Sequence, residues 1–364
     1  MDIETRFAHV AYLAEQYPEF PDFAVDGMAF LGFNTTDIQE DIAEYMQNGP
    51  RLRMVMAQRG EAKTTLAALY AIWRLIHRPS TRVLIISAGE QNSSDTATLI
   101  VRLIMQWDIL ECLRPDRNAG DRVSTENFDV HYALKGLDRS PSVACAGVTS
   151  NLPGRRADLL IPDDIESNKN GLTVVQRQQL VQLSKEFSSI CTHGDILYLG
   201  TPQSKDSVYN TLPGRGFELR IWPGRYPSEE EEEKYAGRLA PLVVQRMRSN
   251  PNLRTGGGID GKAGQPVDPG RYTDADLIEK ALDKGPEDFQ LQYMLDTSLA
   301  DAARQQLRLS DLVVANFAPD LLPEVIGWQA SQKFQVELGP EFPIPMQRMY
   351  YAVPTDAHFV QPKD

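Results

Sequence analysis

One run of nine residues, Ala57-Gln58-Arg59-Gly60-Glu61-Ala62-Lys63-Thr64-Thr65, has the make-up of a phosphate-binding loop. Such a loop turns backbone N–H groups onto phosphate oxygens and aims a helix N-terminus at them. Lys63 would reach the β- and γ-phosphates, and the Thr64 hydroxyl would bind magnesium. Ala57 and Ala62 stand where the G-x-x-x-x-G-K-[ST] pattern has glycines, which leaves Gly60 to relieve the turn. A second cluster closes the apolar run Asp158-Leu159-Leu160-Ile161-Pro162 with Asp163, Asp164 and Glu166. At a strand end, one acid holds magnesium and another orients the attacking water. Asp163 is assigned to the metal, and Asp164 and Glu166 both qualify as the catalytic base.

Three further groups complete the set. Leu197-Tyr198-Leu199-Gly200 runs into Thr201-Pro202-Gln203, which sets polar Thr201 and Gln203 where they could sense the γ-phosphate and transmit its loss. Gln39 opens a helix ahead of the loop, and a glutamine amide can pair bidentately with adenine. Arg59 lies inside the loop and could act on the γ-phosphate in cis. Arg155 and Arg156 follow Pro153-Gly154 in a turn before the acidic strand, read here as lying at the nucleotide edge. An arginine finger there is worth about 10³–10⁵ in rate, and it serves a neighbouring subunit if the turn faces away from its own site.

These residues need a scaffold that brings strand ends together. Strand patterns fall at Leu52–Ala57, Arg82–Ser87, Val143–Val148, Asp158–Pro162, Ile196–Gly200 and Phe217–Trp222. Helical patterns lie between them, at Lys63–His77, Ser93–Leu113 and Val174–Ile190. Continuous apolar strands alternating with helices predict an α/β fold with a buried, mainly parallel sheet. Beyond Trp222, Ser228 before Glu229–Glu233 reads as an N-cap with an acidic first turn. The Gly-rich run from Thr255 to Gly270 reads as a flexible loop, although Arg254, Lys262 and Arg271 could touch DNA from it. Helices resume at Asp274–Lys284 and Asp288–Met294, and prolines recur after Pro319.

At 364 residues the chain is long enough for one large or two modest cores. Its 42% hydrophobic and 24% charged composition excludes wholesale disorder. A net charge of −13 argues against a surface that coats nucleic acid or anionic membrane, but leaves room for a local basic path. Three scattered cysteines form neither a disulfide framework nor a zinc ribbon, which suits a reducing cytosol. No apolar stretch approaches a membrane span, so no membrane role is expected.

Together, the motifs A-Q-R-G-E-A-K-T-T, V-L-I-I-S-A, S-P-S-V-A-C-A-G-V-T-S-N-L-P-G-R-R-A-D-L-L-I-P-D-D-I-E, L-Y-L-G-T-P-Q, I-W-P-G-R-Y-P and R-L-A-P resemble the ATPase domain of the large terminase subunit of tailed bacteriophages, in its T-seven-like podovirus branch. The resemblance spans roughly Phe33 to Leu309 and implies a P-loop NTPase of the additional-strand (ASCE) type with a small lid subdomain. It implies ATP and Mg²⁺ as cofactors, with Arg59, Gly60, Glu61, Ala62, Lys63, Thr64 and Thr65 around the phosphates, Thr64 and Asp163 on the metal, Thr201 to Gln203 as the coupling motif and Gln39 as adenine reader. It also implies a motor that threads double-stranded DNA into a procapsid in the host cell cytoplasm. Its partners would be the portal protein, the small terminase subunit and further copies in a ring, usually pentameric. The expected division is a helical segment at 1–50, an ATPase core at 51–225, a lid at 226–315 and an irregular tail at 316–364, without the family's nuclease domain. Two rivals remain: a helicase-like P-loop ATPase, and a docking protein whose loop has lost catalysis.

Overall fold

The structure is a computed structural model. It describes residues 1–297 except 151, 153, 168, 169, 171, 172 and 204–206, with 90–93 described in backbone only, and four short strands between 326 and 359.

Three helices lead the chain: α1 (Ile3–Gln16), α2 (Phe20–Phe30) and α3 (Asp37–Asn48). Asp2 caps α1 by accepting from the Thr5 N–H, and Thr36 with Gln39 forms a reciprocal capping box on α3. The core then alternates as the apolar runs require: β1 (Leu52–Ala57), α4 (Lys63–His77), β2 (Val83–Ser87), α5 (Glu90–Gln106), β3 (Asn127–Phe128), α6 (Tyr132–Lys135), β4 (Val143–Gly147), β5 (Leu159–Asp163), α7 (Val174–Lys185), α8 (Phe187–Ile190), β6 (Asp195–Leu199) and β7 (Glu218–Trp222). The segment expected as one helix to Leu113 ends earlier, at Gln106, and continues as a 3₁₀ turn over Asp108–Leu113. The helix expected over Val174–Ile190 divides at Glu186.

Seven strands make one sheet in the order β3-β4-β2-β5-β6-β1-β7, and every pairing except the short β3–β4 contact is parallel. This is the additional-strand arrangement, because β6 lies between the P-loop strand β1 and the acidic strand β5. Every residue of β2, β4 and β5 is buried, as a sheet covered by crossover helices demands. Helix α4 packs against α1, α2, α3 and α5, and its Leu66, Leu69 and Ile72 are fully buried.

Past the sheet come α9 (Glu229–Glu232), capped by Ser228 as expected, α10 (Pro241–Ser249) and α11 (Asp274–Gln292). Non-helical Gly285, followed by Pro286, breaks α11 where the sequence pattern breaks. The run at 255–270 is more constrained than its composition suggests. Gly257 and Ala263 form an antiparallel bridge, and Arg225 bridges to Pro266. Residues 304–364 form a separate unit. The irregular tail expected there falls mostly outside the described residues. Those described pair as β9 (Phe334–Val336) with β10 (Tyr351–Val353) and β8 (Ile326–Gly327) with β11 (His358–Phe359), both antiparallel.

Gly200 ends β6 against the ring of fully buried Tyr209, where an added Cβ would come within 2.4 Å of the ring. Gly200→Ala is expected to destabilise the protein by about 1–3 kcal/mol through overpacking, measured by urea unfolding; an unchanged midpoint would show that the ring can yield.

Candidate nucleotide site

The loop leaves β1 at Ala57 and re-enters helix at Lys63. Two left-handed residues shape it: Gly60 at φ +87° and Ala62 at φ +59°. Gly60 is required twice, since a Cβ there would also lie 2.0 Å from the Tyr272 hydroxyl. Ala62 takes a conformation that costs an L-residue roughly 1–2 kcal/mol, at the position where the usual pattern has glycine. The Lys63 ammonium is buried and donates to the carbonyls of Ala57 (2.8 Å) and Gln58 (3.1 Å). Burial pulls its pKa down, opposed by Asp164, Glu61 and Asp163. Thr65 is half-buried in the first turn of α4.

Register brings the acids to the loop. Val55 pairs with Leu199, and Leu199 with Asp163, so the ends of β1, β6 and β5 are level. The Thr64 hydroxyl reaches one Asp163 oxygen at 3.2 Å, and the Thr96 hydroxyl of α5 reaches the other at 3.4 Å. Burial and then the neighbouring Asp164 push the Asp163 carboxyl up to about 6. A threonine hydroxyl beside a buried carboxylate is a hard-oxygen pair of the kind Mg²⁺ takes together with water and phosphate oxygens.

The two candidate bases separate clearly. Asp164 is exposed, left-handed at φ +43°, and accepts the Thr201 N–H at 3.2 Å. Glu166 is buried and spoken for: it accepts from Ser207 Oγ (2.5 Å), the Val208 N–H (3.1 Å) and the Gln203 N–H (3.2 Å). Gln203 Nε2 in turn donates to the Thr201 carbonyl at 3.3 Å. The segment after β6 is thus tied to both acids.

The remaining candidates are placed differently from expectation. Gln39 is buried, and its Oε1 accepts the Thr36 N–H at 3.2 Å in the α3 cap. Its acceptor is therefore engaged, and bidentate adenine reading does not fit the amide as placed. Arg59 is exposed at the loop and donates to Gln292 Oε1 (3.3 Å), while its backbone N–H donates to the Gln292 carbonyl. Arg155 and Arg156 do not lie at the nucleotide edge. They precede β5 and line a cavity of about 340 Å³ with Arg139 and the first residues of β2, at the amino edge of the parallel strands. The five-residue strand β5 runs from that edge to Asp163, a span of roughly 13 Å at 3.3 Å per residue. Among the described residues none of the three arginines has a carboxylate partner.

Sequence reasoning missed the groups that meet the site from other elements. Thr96 and Ser207 carry no motif. Arg271 was weighed as a DNA contact, yet its Nε donates to the Gly60 carbonyl at 2.7 Å. Arg254 pairs with Glu232 and donates to the Pro227 carbonyl, and Lys262 pairs with Asp260 at 3.6 Å.

A phosphate loop and an acidic strand on either side of an inserted strand define the P-loop NTPase fold of the additional-strand class. Over 299 residues, 80% of its length, the chain is 34% identical to the large terminase subunit of Enterobacteria phage T3, and it is thereby a relative of the phage large terminases. It spans about half (49%) of that relative's length. Among solved structures, it is similar to the large terminase ATPase domain of Thermus phage P74-26 (13% identity, 74% of this chain and 96% of that one, TM-score 0.39). It is also similar to the large terminase of bacteriophage HK97 (11% identity, 76% and 54%, TM-score 0.42). No protein-family model matches.

Removing the Glu166 side chain leaves three donors without their acceptor. Glu166→Ala is expected to cost about 1–3 kcal/mol or more in chemical denaturation, whereas Asp164→Asn leaves stability within about 0.5 kcal/mol of wild type. Equal effects would remove the distinction between the two acids. Ala62→Gly is expected to raise the unfolding free energy by up to about 1 kcal/mol by relieving the left-handed alanine, read from the same denaturation curves.

Proposed function

We propose that this chain is the ATP-hydrolysing motor part of a phage DNA-packaging enzyme, moving double-stranded DNA into a procapsid. The observation that supports it best is the level ending of β1, β6 and β5, with Thr64 at the start of α4 reaching Asp163, in a terminase relative. A docking protein without catalysis has no need of the loop lysine and the acidic strand, and a helicase-like ATPase would share both but lacks the support of the terminase relative.

In this reading the loop amides of Arg59 to Ala62 and the α4 N-terminus receive the phosphates, and Lys63 exchanges its two carbonyl partners for phosphate oxygens. Thr64 and Asp163 would hold Mg²⁺, which neutralises charge on the β- and γ-phosphates. Asp164, exposed beside them, orients a water for attack on the γ-phosphorus and takes up its proton. ADP leaves with the β-phosphate oxygen, and the γ-phosphoryl departs as inorganic phosphate. Thr201 and Gln203, bonded through their N–H groups to Asp164 and Glu166, move when either acid moves, which is how hydrolysis reaches the rest of the domain. Gln39 forms part of the adenine-side wall. Segments within 226–315 act as the lid.

Arg59 is the residue able to act in cis. Arg155 and Arg156, at the opposite edge, act in trans, which calls for a ring of copies docked on the portal, with the small terminase subunit as a further partner. Work of this kind takes place in the host cytoplasm. The −13 charge suits a translocase, because strong counterion-release binding along its whole surface would hinder stepping.

Complementation tests both the chemistry and the geometry. Lys63→Ala is expected to lose ATP binding, and the Arg155→Ala/Arg156→Ala double variant to bind ATP but hydrolyse it at least about 10³-fold more slowly. Mixing the two should restore turnover above either alone, because the first supplies arginines to the second's intact site. A mixture no faster than its components excludes the trans role.

A further inference from the structure

The lid turn at 267–272 grips the phosphate loop through side chains that the proposed chemistry leaves unused. Asp268, 1% exposed, accepts from the Thr36 hydroxyl at the start of α3 and from the Arg271 N–H at 3.2 Å. Its carboxyl also meets the Glu61 carboxyl of the loop within hydrogen-bonding reach, and Glu61 is equally buried. Gln58 Nε2 donates to Glu61 Oε2 at 2.7 Å, while Glu61 Oε1 has no donor among the described residues. The opposing charge of Lys63 favours an ionised Glu61, but burial and Asp268 outweigh it, and no other donor reaches the orphaned oxygen among the described residues. Lys63 is held by the Ala57 and Gln58 carbonyls, Arg271 spends its Nε on the Gly60 carbonyl, and the Tyr272 hydroxyl lies against Gly60. Two buried carboxylates in contact cannot both be charged without a large penalty. A proton on Glu61 removes that penalty and gives its orphaned oxygen a donor hydrogen.

We propose that Asp268 is a positioning residue, through which the lid holds the phosphate loop and the start of α3 together by one proton shared with Glu61. Its consequence for ATP rests on the nucleotide-binding reading above; its consequence for stability does not. Burial first, and then Asp268, push the Glu61 carboxyl up to about 8. The folded protein therefore holds a proton that the unfolded chain releases near its ordinary value of 4.5. Stability from the tie is full below the unfolded value, declines as pH rises, and is lost as pH passes through about 8. Above that pH two like charges face each other, and the loop, the lid and the α3 cap lose their common anchor.

The test measures thermal midpoints without nucleotide and the affinity for a fluorescent ATP analogue with Mg²⁺, from pH 6 to pH 9.5, in the full chain. For the wild type, the midpoint falls across this range, and affinity weakens by up to about tenfold per pH unit above pH 8. Asp268→Asn supplies an amide donor to an ionised Glu61, and Glu61→Gln replaces the protonated acid with a neutral donor. Glu61→Gln is expected to lose most of the pH slope in midpoint and affinity, and Asp268→Asn a part of it, because burial still raises Glu61 there. A wild-type slope retained in both variants overturns the proposal, as does a wild-type midpoint that does not depend on pH between 7 and 9. If the midpoints behave as expected but no variant, nor the wild type, binds the analogue, the shared proton stands and the nucleotide reading falls.

Discussion

The phosphate loop and Asp163, the acid proposed to hold magnesium, belong to strands that never touch. β6 lies between β1 and β5, so the register of this one strand decides whether Thr64 and Asp163 meet. Val55, Leu199 and Asp163 fall on one level, and a slip of a single residue would turn every side chain of β6 to the other face. The strand's exit is fixed as firmly as its body. Gly200 admits the Tyr209 ring, and Glu166 gathers the amides of the segment that follows. What lies after β6 therefore inherits the position of both acids, and that is the property a sensing segment needs.

The site is also a concentration of charge that burial disfavours. Lys63, Asp163, Glu61 and Asp268 are all buried, and each alone would be costly. Carbonyls surround the lysine and threonine hydroxyls reach Asp163, while the two carboxyls would be eased by the shared proton proposed above. Ala62 adds backbone strain of its own. Such partly compensated costs concentrate where a protein must respond to a ligand. The same electrostatics that weaken the free loop make it sensitive to an incoming phosphate.

Much of this was legible in the sequence, for reasons that are local. The strands of the core are short continuous apolar runs, α3 and α9 announce themselves by capping residues, and Gly285-Pro286 breaks α11 where the pattern breaks. The loop and the acids were readable because their residue types are tied to strand ends. Lateral strand order was not readable from periodicity, which says nothing about neighbours across a sheet; only the family resemblance implied the inserted strand. Asp164 and Glu166 could not be told apart, since what separates them is Ser207 and two backbone amides from 37 to 42 residues away. Gln39 has the right chemistry for a base contact, but its cap claims the acceptor first. The glycine-rich run looked loose because composition registers backbone freedom and not the Gly257–Ala263 and Arg225–Pro266 bridges or the Asp268 contacts that limit it.

In a parallel sheet the two edges are chemically unlike, and this chain makes strong use of the difference. The loop, Asp163, Asp164 and Thr201 crowd the carboxyl edge, while Arg139, Arg155 and Arg156 sit together at the amino edge without acidic partners among the described residues. In a molecule of net charge −13, three such arginines around one cavity are a marked local exception. No bending of a single sheet brings its two edges together, because the strands between them are stiff and fully paired. An amino edge can meet a carboxyl edge only on another copy. A two-fold dimer makes this contact only when both edges lie within one shared interface; a head-to-tail contact makes it without that condition, and it closes into a ring when the rotation between copies permits. Strand direction thus allows these arginines to act on a nucleotide only in another copy, which is the condition the proposed role in trans requires.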